Sequence, residues 1–143
     1  MDNCNNKVEV ASFKNCHWMT IENLMTVDAL RIQIDNGKMY NNNEVNRFLR
    51  HWINGGSPRL KQIKMELAAD WDEELFLNGL NVREGTQLER VYTGVYGQSI
   101  TFWRSQPIVR RDGTKASFGV IDSNKFHLVV WPDSTGRTYE SFD

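Results

Sequence analysis

Histidines are the residues of this chain best suited to proton transfer or metal binding, and there are three of them, His17, His51 and His127. Zinc and hydrolase centres place histidines at short fixed spacings such as HExxH, and no such spacing occurs in this sequence. We therefore expect no metal site. His51 lies next to Trp52 in a predicted helix, where a solvent-facing or partly buried structural role is expected. His127 lies on the polar side of a predicted strand, from which it could donate a hydrogen bond across the sheet.

Carboxylates form the second chemically suggestive group, at Asp70, Asp72, Glu73 and Glu74. Such a cluster resembles a two-carboxylate catalytic site. A helix N-terminus favours the same pattern, because the positive end of the helix dipole stabilises acidic side chains. The sequence also lacks GxSxG, a P-loop and a GxGxxG after a strand. We therefore predict a solvated helix start, no cofactor and no enzymatic activity.

Aromatic and arginine residues of the C-terminal half are better functional candidates, because these types dominate the hot spots of protein interfaces. The residues predicted to bind a partner are Trp103, Arg104, Arg110, Arg111 and Lys115. Arg110 and Arg111 are consecutive, so they point to opposite sides of a strand and at least one should be exposed beside Lys115. Further candidates by residue type, several of which must be core, are Tyr92, Tyr96 and Phe102. The alternative is a solvated hairpin tip that protects a sheet edge from aggregation.

The length, net charge and cysteine content of the chain limit the classes of protein to which it can belong. Its 143 residues suit one domain, and its formal net charge of -1 gives no general attraction to nucleic acid or anionic membranes. A protein partner is therefore expected, and nucleic acid is not. Cys4 and Cys16 match neither a zinc knuckle nor a redox CxxC, so structural thiols in the cytoplasm or nucleus are expected. No apolar run approaches the roughly 20 residues of a membrane span, and the N-terminus lacks a signal-peptide pattern.

An α/β fold follows from the element pattern. The N-terminal half predicts strands at 7–13, 30–34 and 60–67 and helices at 20–26, 43–53 and 70–80. Units of about 25 to 30 residues favour leucine-rich-repeat-like βα units over about residues 7–83. A different mixed arrangement is the alternative, because the asparagine or cysteine ladder of the standard repeat is missing.

The helix at 43–53 has the clearest pattern in the chain. Its apolar stripe consists of Val45, Phe48, Leu49, Trp52 and Ile53. This spacing places all five on one buried face. A glycine pair at 55–56 and the proline at 58 then end the helix. We interpret this unit as structural.

The C-terminal half, about residues 84–131, predicts an antiparallel β-meander. Its clearest hairpin joins 108–111 to 114–121, and Asp112-Gly113 predicts a type I′ turn. A second turn at 122–124 leads into a strand at 125–131. The tail at 132–143 is expected to fray.

Two strings, NRFLRHWINGGSPRL at 46–60 and IVRRDGTKASFGV at 108–120, resemble the F-box-associated domain, type 2, of the nematode F-box family. The resemblance extends over about residues 8–131 and implies that 1–143 is one such domain. It implies a target-recognition module of a cullin-type ubiquitin ligase, in which a separate F-box holds the Skp adaptor. The 143 residues themselves do not include the F-box that the family pattern has, so we expect either an excised domain or a protein that cannot recruit the ligase alone.

The function expected from these observations is a non-enzymatic protein-protein interaction domain with an unknown protein target. The alternative is a nucleic-acid or small-ligand binding module that uses the aromatic and basic C-terminal hairpin. A third hypothesis is a purely structural role, in which the domain only supports a neighbouring F-box.

Overall fold

The computed structural model describes residues 8–80, 82, 87–93 and 99–131, without the side chains of Val8, residues 87–90 and Trp103. The strands within these residues are β1 (Val8–Lys14), β2 (Ala29–Asp35), β3 (Gln62–Glu66), β4 (Gln87–Thr93), β5 (Ser99–Val109), β6 (Lys115–Ile121) and β7 (Lys125–Val130). The helices are α1 (Ile21–Met25), α2 (Asn42–Ile53) and α3 (Glu73–Phe76). One mixed sheet holds the strands in the order β1-β2-β3-β7-β6-β5-β4. The predicted frayed tail at 132–143 lies outside the described residues.

The N-terminal half alternates strands and helices in the predicted order. β1 pairs with β2 and β2 pairs with β3, both in parallel, because α1 and α2 carry the chain back along the sheet between them. α2 begins with a capping box, in which the Asn41 side chain accepts from the Glu44 backbone N–H and the Glu44 carboxylate accepts from the Asn41 N–H. Thr20 begins α1 in the same way.

α3 is shorter than the predicted helix at 70–80, because side chains of α2 bind carbonyl groups at its last residue and just beyond it. The Asn46 side chain donates to the carbonyls of Phe76 and Asn78 at 2.8 and 2.9 Å, and the Arg50 guanidinium donates to Asn78 at 3.0 Å. Side-chain donors satisfy these carbonyls in place of further helical N–H groups. None of the described helices combines the length and apolarity needed to span a membrane.

The predicted apolar stripe of α2 forms the centre of the core. Val45, Phe48, Leu49 and Trp52 are fully buried, whereas Ile53 is half-buried. They join one apolar cluster with residues of β2, β3, β6 and β7. The three helices therefore cover one face of the sheet.

The C-terminal half is antiparallel, as predicted, and β7 lies directly beside β3. The predicted type I′ turn at Asp112-Gly113 is wrong. That turn type requires a positive φ at both residues, but Asp112 keeps a negative φ and only Gly113 is left-handed, at 93°. The Arg110 N–H donates to the Thr114 carbonyl at 2.8 Å, which closes a three-residue loop. Two consecutive left-handed residues occur instead in the next turn, at Asp122 and Ser123.

The second face of the sheet is partly covered by the ribbon of β4 and β5. Tyr92, Ile100 and Phe102 of this ribbon form a smaller apolar cluster with Val129 and Trp131. Beyond this cluster, the face carries polar side chains from β2, β3 and β7. We call this part the polar face and define it by Arg31, Gln33, Gln62, Lys64 and His127.

Candidate partner-binding surfaces

Arg110, predicted as a partner-binding residue, is 8 % exposed. Its guanidinium carbon lies 5.3 Å from the ring centre of Trp52, and its Nη2 donates to the Gly56 carbonyl at 3.2 Å. The backbone N–H of Arg111 donates to the Ile53 carbonyl at 3.0 Å. The hairpin is thus fixed to the C-terminal end of α2, and the Arg110 side chain is removed from the surface that a partner can reach.

The other predicted residues do not form one surface. Arg111 is exposed and Lys115 is half-buried at the hairpin, as expected for a pair of consecutive arginines of which one faces out. Arg104 is exposed six residues before Arg110 on β5, which separates it from the hairpin by roughly 20 Å of strand. The Trp103 side chain lies outside the described residues.

The further aromatic candidates are core residues where they are described. Tyr92 and Phe102 are each 1 % exposed and belong to the smaller apolar cluster. Tyr96 lies outside the described residues. Aromatic type alone therefore did not separate surface from core in this ribbon.

The acidic cluster begins α3, as the sequence predicts. Asp72 is the N-cap, and its Oδ1 accepts from the Glu74 N–H at 3.0 Å, whereas Asp70 and Glu74 are exposed. Glu73 differs, because it lines a cavity of about 290 Å³ with Trp71, Arg104 and Val120. Burial raises the pKa of Glu73, and the nearby Arg104 charge opposes that rise.

The histidines lie on separate elements. The Nε2 of His51 lies 2.9 Å from the Ser57 hydroxyl, and His51 is half-buried as predicted. Burial, helped by the Arg110 charge, lowers the pKa of His51. His17 is exposed, and His127 belongs to the polar face. Within the described residues, no three His, Cys, Asp or Glu side chains come together as a metal site.

Two apolar side chains that the sequence reasoning did not select are the most exposed large ones in the described part of the chain. Trp18 is 65 % exposed in the loop between β1 and α1, and Met39 is 55 % exposed in the loop between β2 and α2. Both loops follow the carboxyl ends of neighbouring parallel strands. Open α/β sheets commonly bind ligands at this edge. We call Trp18 and Met39 the apolar loop pair.

Tight contacts fix the two loops against each other. A Cβ on Gly37 would lie 3.1 Å from the backbone N and O of Cys16, so the backbones are in close contact. The hydroxyl of Tyr40 donates to the Met19 carbonyl at 2.8 Å, and burial raises the pKa of Tyr40 above its ordinary value. Cys16 is a half-buried free thiol, and Cys4 lies outside the described residues. The exposed side chains thus stand on a backbone held by buried contacts.

No periodicity could have revealed the apolar loop pair, because neither residue lies in a helix or strand pattern. The available signal was a tryptophan in a loop that directly follows a strand. A large apolar residue at such a position has no element to bury it. Trp is also among the types most enriched at interface hot spots.

A comparison with protein families matches residues 2–65 to the F-box associated family. This match confirms the resemblance predicted from the sequence over the part of the chain that it covers. The matched range holds β1, α1, β2, α2 and most of β3, including both residues of the apolar loop pair. It ends before the second string at 108–120. Comparisons with curated proteins and with solved structures returned no match.

Proposed function

Because residues 2–65 match the F-box associated family, we propose that this chain is a protein-protein interaction domain that selects a target for a cullin-type ubiquitin ligase. An F-box outside the described fold would hold the Skp adaptor, and this chain would hold the target. The cytoplasm or nucleus, where such ligases act, stays the predicted location. The leucine-rich-repeat-like arrangement of the βα units and the absence of enzymatic activity also stay predictions.

The observation that carries this proposal is the exposure of Trp18, at 65 %, on a loop held by buried contacts. A rigid loop loses little conformational entropy when a partner binds, so more of the contact energy becomes affinity. Met39 on the adjoining loop adds a flexible apolar side chain that adapts to a partner's shape. The apolar loop pair therefore provides the centre of a protein interface, with the target covering apolar surface that water now contacts.

The hairpin at Arg111 and Lys115 is the competing surface, and the sheet separates it from the apolar loop pair. The carboxyl end of β3 lies beside the start of β7, at Glu66 and Lys125. The end of β7 lies beside the start of β6, where the hairpin begins. The hairpin and the apolar loop pair thus lie at opposite ends of the strands. The two surfaces can therefore be changed separately by mutation. Burial of Arg110 also weakens the basic cluster on which the nucleic-acid alternative depends.

The test is affinity capture with four versions of the protein, compared by quantitative mass spectrometry. They are the unchanged chain, Trp18→Ala with Met39→Ala, Arg111→Ala, and Val109→Ala. Val109 is 37 % exposed on β5. Val109→Ala removes an apolar side chain at the end of the sheet opposite the apolar loop pair, so this variant is the matched control. We expect a captured protein that is lost only from the Trp18 and Met39 variant. Loss with Arg111→Ala instead would move the site to the hairpin and contradict the proposal.

A second arm tests the link to degradation. The captured protein should be ubiquitinated faster, and have a shorter half-life, when the unchanged chain is expressed with an F-box fused to it. The Trp18 and Met39 variant in the same fusion should leave that half-life unchanged. Equal half-lives in the two fusions would overturn the role in target selection.

A further inference from the structure

The polar face contains a groove of about 300 Å³, and neither residue of the apolar loop pair lines it. Its lining consists of Arg31, Gln33, Gln62, Lys64, Ser99, Ile100, Asp122, Lys125 and His127. The floor comes from three adjacent strands, since Arg31 is opposite Gln62 and Lys64 is opposite both Gln33 and His127. Ser99 and Ile100 at the start of β5 form one wall. The groove is open to solvent and mostly polar, unlike the enclosed apolar pockets that hold drug-sized ligands.

Two of the three cations in the groove already have carboxylate partners. Lys64 Nζ lies 2.5 Å from Asp35 Oδ1, and Lys125 Nζ lies 2.8 Å from Glu66 Oε2. Arg31 differs from both lysines. Its Nη2 donates to the Gln33 side-chain carbonyl at 2.9 Å, and no carboxylate of the described residues lies within ion-pair distance of it. The half-buried Arg31 guanidinium therefore keeps donors available for an incoming anion.

His127 provides a neutral polar group beside these cations. The Nδ1 of its half-buried ring is itself buried and has no hydrogen-bond partner among the described residues, so Nε2 is the ring nitrogen that a ligand in the groove can reach. Burial, with a further contribution from the Lys64 and Arg31 charges, lowers the pKa of His127 to about 4, although Asp122 acts in the opposite direction. The imidazole is therefore uncharged at neutral pH and has one N–H to donate. Asp122 also lines the groove, and Arg31 is the one cation of its lining that no carboxylate of the described residues pairs with.

We infer that this groove binds a carboxylate group of a protein partner, with the Arg31 guanidinium as its ion-pair partner and the imidazole of His127 as an additional hydrogen-bond donor. A planar guanidinium matches a carboxylate with two parallel N–H donors. The open shape suits a side chain or a chain end of a larger protein. This inference rests on the proposed function, because it names the chemistry of part of the same target.

The experiment uses the whole chain and short peptides, followed by NMR shifts of backbone amides. The probes are acetylated tetraglutamate amide, acetylated tetraglutamine amide, and acetylated tetra-alanine with a free C-terminal carboxylate. Binding of the first identifies a side-chain carboxylate, and binding of the third identifies a C-terminus. We expect shifts in β2, β3 and β7 with at least one carboxylate peptide and none with tetraglutamine. Absence of such shifts with both carboxylate peptides would overturn the inference.

A charge-matched pair of variants tests the role of Arg31. Arg31→Gln and Arg47→Gln each remove one positive charge, but Arg47 is exposed on α2, on the other side of the sheet, where it pairs with Glu22. We expect Arg31→Gln to weaken peptide binding by at least about fivefold and Arg47→Gln by less than about twofold. Equal weakening would show attraction by net charge alone and overturn the inference.

The two proposals can fail separately. Peptide binding does not involve Trp18, and capture of the target is measured without the peptides. A failed peptide titration with capture still dependent on Trp18 would remove the groove and leave the proposed function. Binding of a carboxylate peptide, together with no captured protein, would support the groove and remove the proposed function.

Discussion

The guanidinium of Arg110 lies over the ring of Trp52, 5.3 Å from its centre, and joins the two halves of the sequence. Trp52 belongs to the helix that fills the core, and Arg110 begins the turn between β5 and β6. The Arg110 side chain also donates to the Gly56 carbonyl, which belongs to the turn after α2. This contact is a cation-π pair in a nearly dry position, where such pairs are strongest.

Arg110→Ala should lower the free energy of unfolding by about 2 to 3 kcal/mol, because it removes a buried cation-π contact and leaves the Gly56 carbonyl without its donor. Arg111→Ala should change it by less than about 0.5 kcal/mol, since Arg111 is exposed. Urea unfolding of both variants measures the difference. Equal stability of the two variants would show that the Arg110 contact contributes nothing to the fold.

His127 should make stability depend on pH. Its pKa is about 4 in the folded protein against an ordinary 6.5, so the unfolded chain binds the proton more tightly. The stabilising contribution is therefore complete above pH 6.5 and is lost as the pH falls from 6.5 toward 4. The loss should reach roughly 3 kcal/mol by pH 4, because the two pKa values differ by about 2.5 and one pKa unit corresponds to about 1.4 kcal/mol.

Urea unfolding at several pH values, for the unchanged chain and for His127→Gln, measures this contribution. Carboxylates with lowered pKa values, such as that of Asp35, weaken both proteins in acid and cancel in the comparison. The stability of the unchanged chain relative to His127→Gln should fall as the pH drops below 6.5. Parallel curves, or an imidazole of His127 that titrates near 6.5 by NMR, would contradict the prediction.

Gly56→Ala and Gly113→Ala should each lower the stability of the protein, but for different reasons. A Cβ on Gly56 would lie 2.1 Å from the His51 ring, so Gly56→Ala must displace that ring from Ser57. We expect a loss of about 2 kcal/mol. Gly113 has free space around it but a φ of 93°, so Gly113→Ala should cost only about 1 kcal/mol of backbone strain.

A double-mutant cycle separates the two causes. Truncation of the ring in His51→Ala should remove most of the additional cost of Gly56→Ala, because the clash is with that ring. The same truncation should leave the cost of Gly113→Ala unchanged. A cost of Gly56→Ala that persists without the ring would assign it to the backbone instead.

The sequence predicted elements whose causes are local. α2 has its caps, apolar stripe and stop signal within one continuous segment, so its position and buried face followed from periodicity. The end of α3 did not, because it depends on donors from Asn46 and Arg50 on another helix. The turn at Asp112-Gly113 was misassigned for a related reason. Its dipeptide fits two hairpin loops, and pairing of Arg110 with Thr114 selects the longer one.

The candidate site was harder to predict than the fold. Arg110 resembles a surface residue by type and neighbours, and only its contact with Trp52 shows that it is buried. Trp18 lies outside every periodic pattern, so the sequence offered no face to which it could be assigned. The groove at Arg31 and His127 needs the pairing of β2, β3 and β7, which joins segments far apart in the chain.

The most direct test of target selection is the affinity of the captured protein for the unchanged chain and for Trp18→Ala, measured by calorimetry. Trp18 is exposed, so its removal should leave the free energy of unfolding within about 0.5 kcal/mol. We predict that the same change weakens binding at least about thirtyfold, which corresponds to the 2 kcal/mol of an interface hot spot. An affinity unchanged by Trp18→Ala, in a chain of unchanged stability, would contradict the account.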